Sequence, residues 1–133
     1  MQPVAIDQAA EANRLAILFN SLSQALDDFR LADHDPSIPP DQLARLKDES
    51  QALEDRAHFF TAAAIGATLQ SIQPNLDNIK AVTAEAKNQV AALNDVSKII
   101  SIATSALSLG TAVAAGNPMS IVAAAQALAQ TVS

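Results

Sequence analysis

The chain has no cysteine, no tryptophan and no tyrosine, and only three glycines. Without cysteine there is no disulfide framework and no thiol chemistry. Three glycines in 133 residues exclude a sheet protein dense in tight turns. Aromatic residues are limited to Phe19, Phe29, Phe59 and Phe60. Basic residues number 8 against 14 acids, a net charge of −6. An acidic chain with so few ring systems lacks the phosphate contacts and stacking platforms of a nucleic-acid binder. It also lacks the basic patch that draws proteins to anionic lipid. The first residues, MQPVAIDQAAEANR, contain no basic run followed by an apolar one. No cleavable signal peptide is expected there. The expected location is cytoplasmic, or outside by a route that needs no such signal.

A second absence is local. From Ile99 to Ser133 there is no charged side chain, and Lys98 is the last ionisable one. The charge is concentrated at the other end. Residues 1–66 carry 11 acids and 5 bases, whereas residues 67–133 carry 3 of each.

What is present is helical. Alanine, leucine and glutamine are abundant, and all three favour helix. The expected fold is all-α: one domain over 1–133, an up-and-down antiparallel bundle of four helices at about 4–32, 40–72, 75–115 and 118–132. In the first helix Leu15, Leu22 and Phe29 recur at seven, with Leu18, Phe19, Ala25 and Leu26 between them. That is the wide stripe of a bundle helix. Asp35-Pro36 ends it, because proline disfavours helix at the residue before it. HDPSIPP is a short stiff connection, and Pro39 or Pro40 opens the second helix, where a missing N–H costs nothing. Leu43, Leu46, Ser50, Leu53, Ala57, Phe60, Ala64 and Ala67 form its coiled-coil-like seam. The opposite face is charged up to Arg56 and uncharged beyond it.

Gln73-Pro74-Asn75 is read as the next turn. The third helix carries Ile79, Val82, Ala86, Leu93, Val96, Ile100, Ala103 and Leu107 on one stripe. From Ile99 a second stripe joins it: Ile99, Ile102, Ala106, Leu109 and Val113. The polar remainder is Ser101, Thr104, Ser105, Ser108 and Thr111, hydroxyls that can bond to their own helix's carbonyls. Gly116-Asn117-Pro118 breaks the helix, with Asn117 as cap and Pro118 in the next first turn. Ile121, Val122, Ala125, Leu128 and Val132 line one side of the last helix. Antiparallel packing about Gln73-Pro74 would send the end of the third helix to the opposite pole, with part of the hairpin facing the first helix.

Two places hold residues that could do chemistry. His34 lies between Asp33 and Asp35, and Asp55 and His58 stand three apart on one helix. A metal needs three or four placed ligands, and neither cluster supplies them. No phosphate loop, nucleophile elbow or Cys/His arrangement occurs. No enzyme activity, cofactor or metal is therefore expected. The charged run from Arg45 to Arg56 reads as a solvated face.

The informative stretch is the uncharged hairpin: Ile99, Ile100, Ile102, Ala106, Leu107, Leu109, Val113, Gly116, Pro118, Ile121, Val122 and Leu128. Its arms are about 16–18 residues, slightly short of a membrane span. Three roles are open for it: core, membrane-inserting element, or interface with a second copy or another helical protein. The pattern of Lys98–Ser133, carried on coiled-coil seams, resembles the hydrophobic head of the α-helical pore-forming toxins, the cytolysin A-like group. The resemblance implies a hairpin stored against the bundle in water and released to lipid. This chain is shorter, and its hairpin is C-terminal and not set between two long helices, so what is implied is a component role.

Overall fold

Cap chemistry divides the chain into more helices than periodicity suggests. The computed structural model describes residues 7–31, 38–92 and 95–132. Its elements are α1 (Gln8–Leu31), α2 (Pro40–Phe59), α3 (Ala62–Ser71), α4 (Gln73–Ala92), α5 (Val96–Ala115) and α6 (Pro118–Val132). Among the described residues every regular element is a helix, so the class is all-α as expected. Among the described residues the helices number six, not four. The expected ends of the first helix, at 4 and 32, lie outside the described residues, as do His34 and its two aspartates.

The helix expected over 40–72 breaks at Phe60-Thr61. Phe60 leaves helical geometry at φ −77° and ψ 77°. Thr61 is extended and caps α3, its Oγ1 accepting from the Ala64 N–H at 3.2 Å. Packing supplies the reason. Phe60 is only 2% exposed and meets Phe19 edge to face, ring centres 5.1 Å apart at 79°. Such a pair adds about 0.5–1.5 kcal/mol beyond its buried area.

The helix expected over 75–115 is likewise two helices. The first, α4, starts at Gln73, with Pro74 in its first turn, and ends at Ala92. Asp95 then caps α5, its Oδ1 accepting from the N–H groups of Ser97 (3.0 Å) and Lys98 (3.4 Å). The expected turn at Gln73-Pro74-Asn75 falls earlier, at Ile72, which closes α3.

The last turn forms as its sequence implies. Gly116 takes φ +79°, the only positive φ among the described residues, and donates to the Ala112 and Val113 carbonyls at 3.1 and 3.2 Å. Glycine enters that conformation without a Cβ penalty. Asn117 Oδ1 accepts from Met119 and Ser120 N–H at 3.0 and 3.3 Å.

Side-chain pairs give the directions. Ser23 and Ser50 bind reciprocally between α1 and α2: the Ser23 hydroxyl donates to the Ser50 carbonyl at 2.8 Å, and the Ser50 hydroxyl to the Ser23 carbonyl at 3.1 Å. Glu49 meets Thr104 and Arg56 meets Thr111, so α2 and α5 run parallel. Ser105 and Thr131 are 3.1 Å apart, closing α5 and α6 as an antiparallel hairpin. α1 packs against α2, α3 and α4, and α6 against α4 and α5. Lys80 of α4 donates to Glu11 of α1 at 2.8 Å.

The direction of α5 also corrects the expected placement of the hairpin. α5 returns to the pole where α3 lies instead of continuing to the other one. A Cβ built on Gly116 would stand 3.1 Å from Thr68 Oγ1. α5 does face α1, through Gly110. A Cβ there would come within 2.7 Å of Phe19 Cε2.

The core runs through all six helices. It includes Leu15, Phe19, Leu22 and Leu26 of α1, Leu46 and Leu53 of α2, Ile65 and Leu69 of α3, and Ile79 of α4. From α5 and α6 it takes Ile99, Ile102, Leu109, Val113, Ile121 and Leu128, all fully buried. The four from α5 alone correspond to about 6–12 kcal/mol of transfer free energy, an upper bound.

Candidate docking surface on the hairpin

The residues singled out in the uncharged hairpin divide by depth. Ile99, Ile102, Ala106, Leu109, Val113, Ile121 and Leu128 are fully buried, and Ile100 nearly so. Leu107, Val122 and Gly116 are half-buried, and Pro118 is exposed. The apolar stripes of α5 are thus consumed by the bundle.

What α5 leaves to water is its other face. Ser97, Ser101, Thr104, Ser108, Thr111 and Ala115 are all exposed. Their spacing alternates four and three residues, which lays them in one straight row. Ser105 is half-buried against α6. Ser101 donates to the Ser97 carbonyl at 3.1 Å. On α6, Met119 is 83% exposed, and Ser120, Ala123, Gln126 and Ala127 are exposed beside it. None of these side chains carries charge.

The row borders shallow hollows: toward the end of α5 they lie between α2 and α6, and toward its start they are walled by Asp41, Gln42 and Arg45 of α2. One section, about 510 Å³, is lined by Glu49, Thr104, Leu107, Ser108, Thr111 and Ala124 among others. A second, about 560 Å³, continues past Thr104 to Arg45, Ser101 and Ser97 near the start of α5. A smaller hollow of about 270 Å³ joins Glu49 and Leu107 to Asp48 and Ala52.

Glu49 departs from the expected solvated face of α2. Lys47, Asp48, Glu54 and Asp55 are exposed and Arg56 half-buried, but Glu49 is only 9% exposed. Its Oε1 accepts from the Thr104 hydroxyl at 2.8 Å, and Arg45 Nε stands 3.8 Å from the same oxygen. Its Oε2 is buried without a hydrogen-bond partner. Sequence reasoning missed this residue because it lies in a charged run. The available signal was its position three after Leu46 and one before Ser50, both on the seam.

Elsewhere the ionisable groups are structural or solvated. Lys80 bridges Glu11 and Asp77. The hydrogen bond to Glu11, above all, holds its ammonium pKa above the ordinary value of 10.5, against the opposing effect of burial. Asp55 and His58 are both exposed. Among the described residues no group of three or more His, Cys, Asp or Glu is placed to hold a metal. Among those residues α5 alone is long and apolar enough to cross a membrane, and half of it is buried in the bundle. No family model, curated protein or solved structure matches the chain.

Proposed function

We propose that the protein is a non-enzymatic helical module that binds a partner helix in the groove along α5. One observation carries this reading: the outer face of α5 is a straight, uncharged row of small side chains beside an open groove. A purely solvated helix face gains from charge, as α2 illustrates. A row of serine, threonine and alanine instead lets a second helix approach to the short end of the usual 8–10 Å axial distance. Helix-in-groove recognition needs that geometry. The partner face differs from the one that the apolar stripes suggest, because those stripes are occupied by α1, α2, α4 and α6.

The test is selection of helical peptides, displayed with one randomised face, against the wild-type protein, with counter-selection against Ser108→Trp. The indole would fill the groove without entering the core. The expected result is a set of binders that all require Ser108. Failure to enrich any such binder contradicts the reading.

A second reading, membrane association by the hairpin as a pore-forming-toxin-like component, is favoured by the length and apolar character of α5. On that reading the bundle is the stored form, and α5 and α6 must leave α1 and α4 to reach lipid. Co-flotation with neutral and anionic liposomes, with dye release from the same samples, separates the two. Binding with release at both lipid charges supports insertion, and its absence in a folded sample removes it.

A further inference from the structure

The outer face of α1 has a symmetry of its own. Ile17, Asn20, Gln24, Asp28 and Leu31 are all exposed. At 3.6 residues per turn they fall within an arc of about 80° and form one row. Ile17 is 54% exposed and Leu31 72%. Among the described residues only Phe59 and Met119 join them as large apolar side chains left to water. An exposed apolar side chain taken singly needs no explanation. The arrangement here does. Read outward from Gln24, the row is a palindrome. Four residues away on either side stand polar residues, Asn20 and Asp28, and seven away stand apolar ones, Ile17 and Leu31.

We infer that α1 is a face on which two copies of this chain meet, antiparallel, on a two-fold axis through Gln24. A two-fold contact needs a surface complementary to itself. Turning the row about Gln24 lays Ile17 of one copy level with Leu31 of the other, and does so twice. Asn20 comes level with Asp28, an amide donor opposite a carboxylate acceptor. The two Gln24 amides meet on the axis, and each can both donate and accept. Charge fixes the direction. A parallel pair would set Asp28 against Asp28, whereas the antiparallel pair separates the two carboxylates by about 12 Å along the axis. The row spans about 21 Å from Ile17 to Leu31, so the contact is small and the association weak. The inference concerns α1 and does not rest on the partner-helix reading of α5.

Sedimentation velocity over roughly 5–500 μM tests it. The expected result is a monomer–dimer equilibrium. Ile17→Ser and Leu31→Ser each remove two apolar contacts per dimer and should raise the dissociation constant about 10-fold or more, with thermal melts unchanged. Because the chain has no cysteine, single-cysteine variants report the register. Gln24→Cys should form a disulfide dimer under mild oxidation. Asn20→Cys alone should not, because its two copies stand about 12 Å apart along the axis, beyond disulfide reach. Asn20→Cys mixed with Asp28→Cys should cross-link. A monomer at every concentration overturns the inference. So does a dimer insensitive to Ile17→Ser and Leu31→Ser, including one that only Ser108→Trp dissociates, which would place the second copy on α5. Self-cross-linking of Asn20→Cys as fast as Gln24→Cys would make the pair parallel and overturn the stated axis. Peptide selection on the α5 groove has its own outcome, so the two readings fail independently.

Discussion

α2 and α5 lie side by side, run in the same direction and have equal length, yet they solve the surface problem differently. Each buries one face: Leu46, Leu53 and Ala57 on α2, and Ile99, Ile102, Ala106, Leu109 and Val113 on α5. On the outer face α2 shows Lys47, Asp48, Glu54 and Asp55, while α5 shows hydroxyls and alanine. Folding requires only the inner faces. The outer face of α2 is charged, and that of α5 is polar but uncharged. The proposed partner helix would act on this uncharged face, in the groove beside it.

The comparison can be broken most strongly from inside. Ala106 is fully buried, and a carboxylate there has no partner. Ala106→Asp should cost about 3–5 kcal/mol or more and abolish cooperative thermal unfolding in buffer without lipid. An equally stable Ala106→Asp variant would mean that the inner face of α5 is not core. A smaller effect is expected across the α1–α2 seam. Ser50→Ala removes one of the reciprocal hydroxyl–carbonyl bonds. Denaturant titration should show a loss of about 1–2 kcal/mol with unchanged slope.

A third effect depends on pH. Lys80 has a folded-state pKa above its ordinary value, through its hydrogen bond to Glu11. Its contribution is then fully present below about pH 10.5 and is lost as pH rises through the higher folded-state value. Thermal melts should show wild type above Lys80→Met at pH 8, with the gap closing in alkali. A gap constant to the highest pH would contradict the ion pair. The smallest effect sharpens the contrast from outside. Ser108→Ala should change stability by less than about 0.5 kcal/mol, because its side chain faces water.

Most of the fold was legible because helix stripes and caps are local signals. The Gly116-Asn117-Pro118 turn, α6 and the buried halves of α1, α2 and α5 follow from spacing alone. The two missed breaks have different causes. Phe60 stays in phase with Ala57 and Ala64, so periodicity runs straight through it. The break is decided by Phe19, more than forty residues away in sequence. At Asp95 the cap signal was present, but the stripe from Val82 to Ile100 outweighed it. The candidate site was half legible. The hydroxyl row reads as side chains that bond their own helix's carbonyls, as Ser101 does, but that pattern does not say that the row faces water. Glu49 could not be distinguished from its charged neighbours until the parallel packing of α5 on α2 brought Thr104 to it.

The central claim is that α5 is a fixed core helix with a free outer face. Because the chain has no cysteine, single-cysteine variants report on one position each. The decisive measurement is the thiol-labelling rate of Ala106→Cys, with Ser108→Cys as the reference, in buffer and with neutral liposomes. The account predicts that Ala106→Cys labels at least about 100-fold more slowly than Ser108→Cys in both conditions, since a core position reacts only through rare opening. Comparable rates in buffer would show that the inner face is not core. A change confined to Ala106→Cys on adding liposomes would show the hairpin leaving the bundle, and would contradict the fixed-core account.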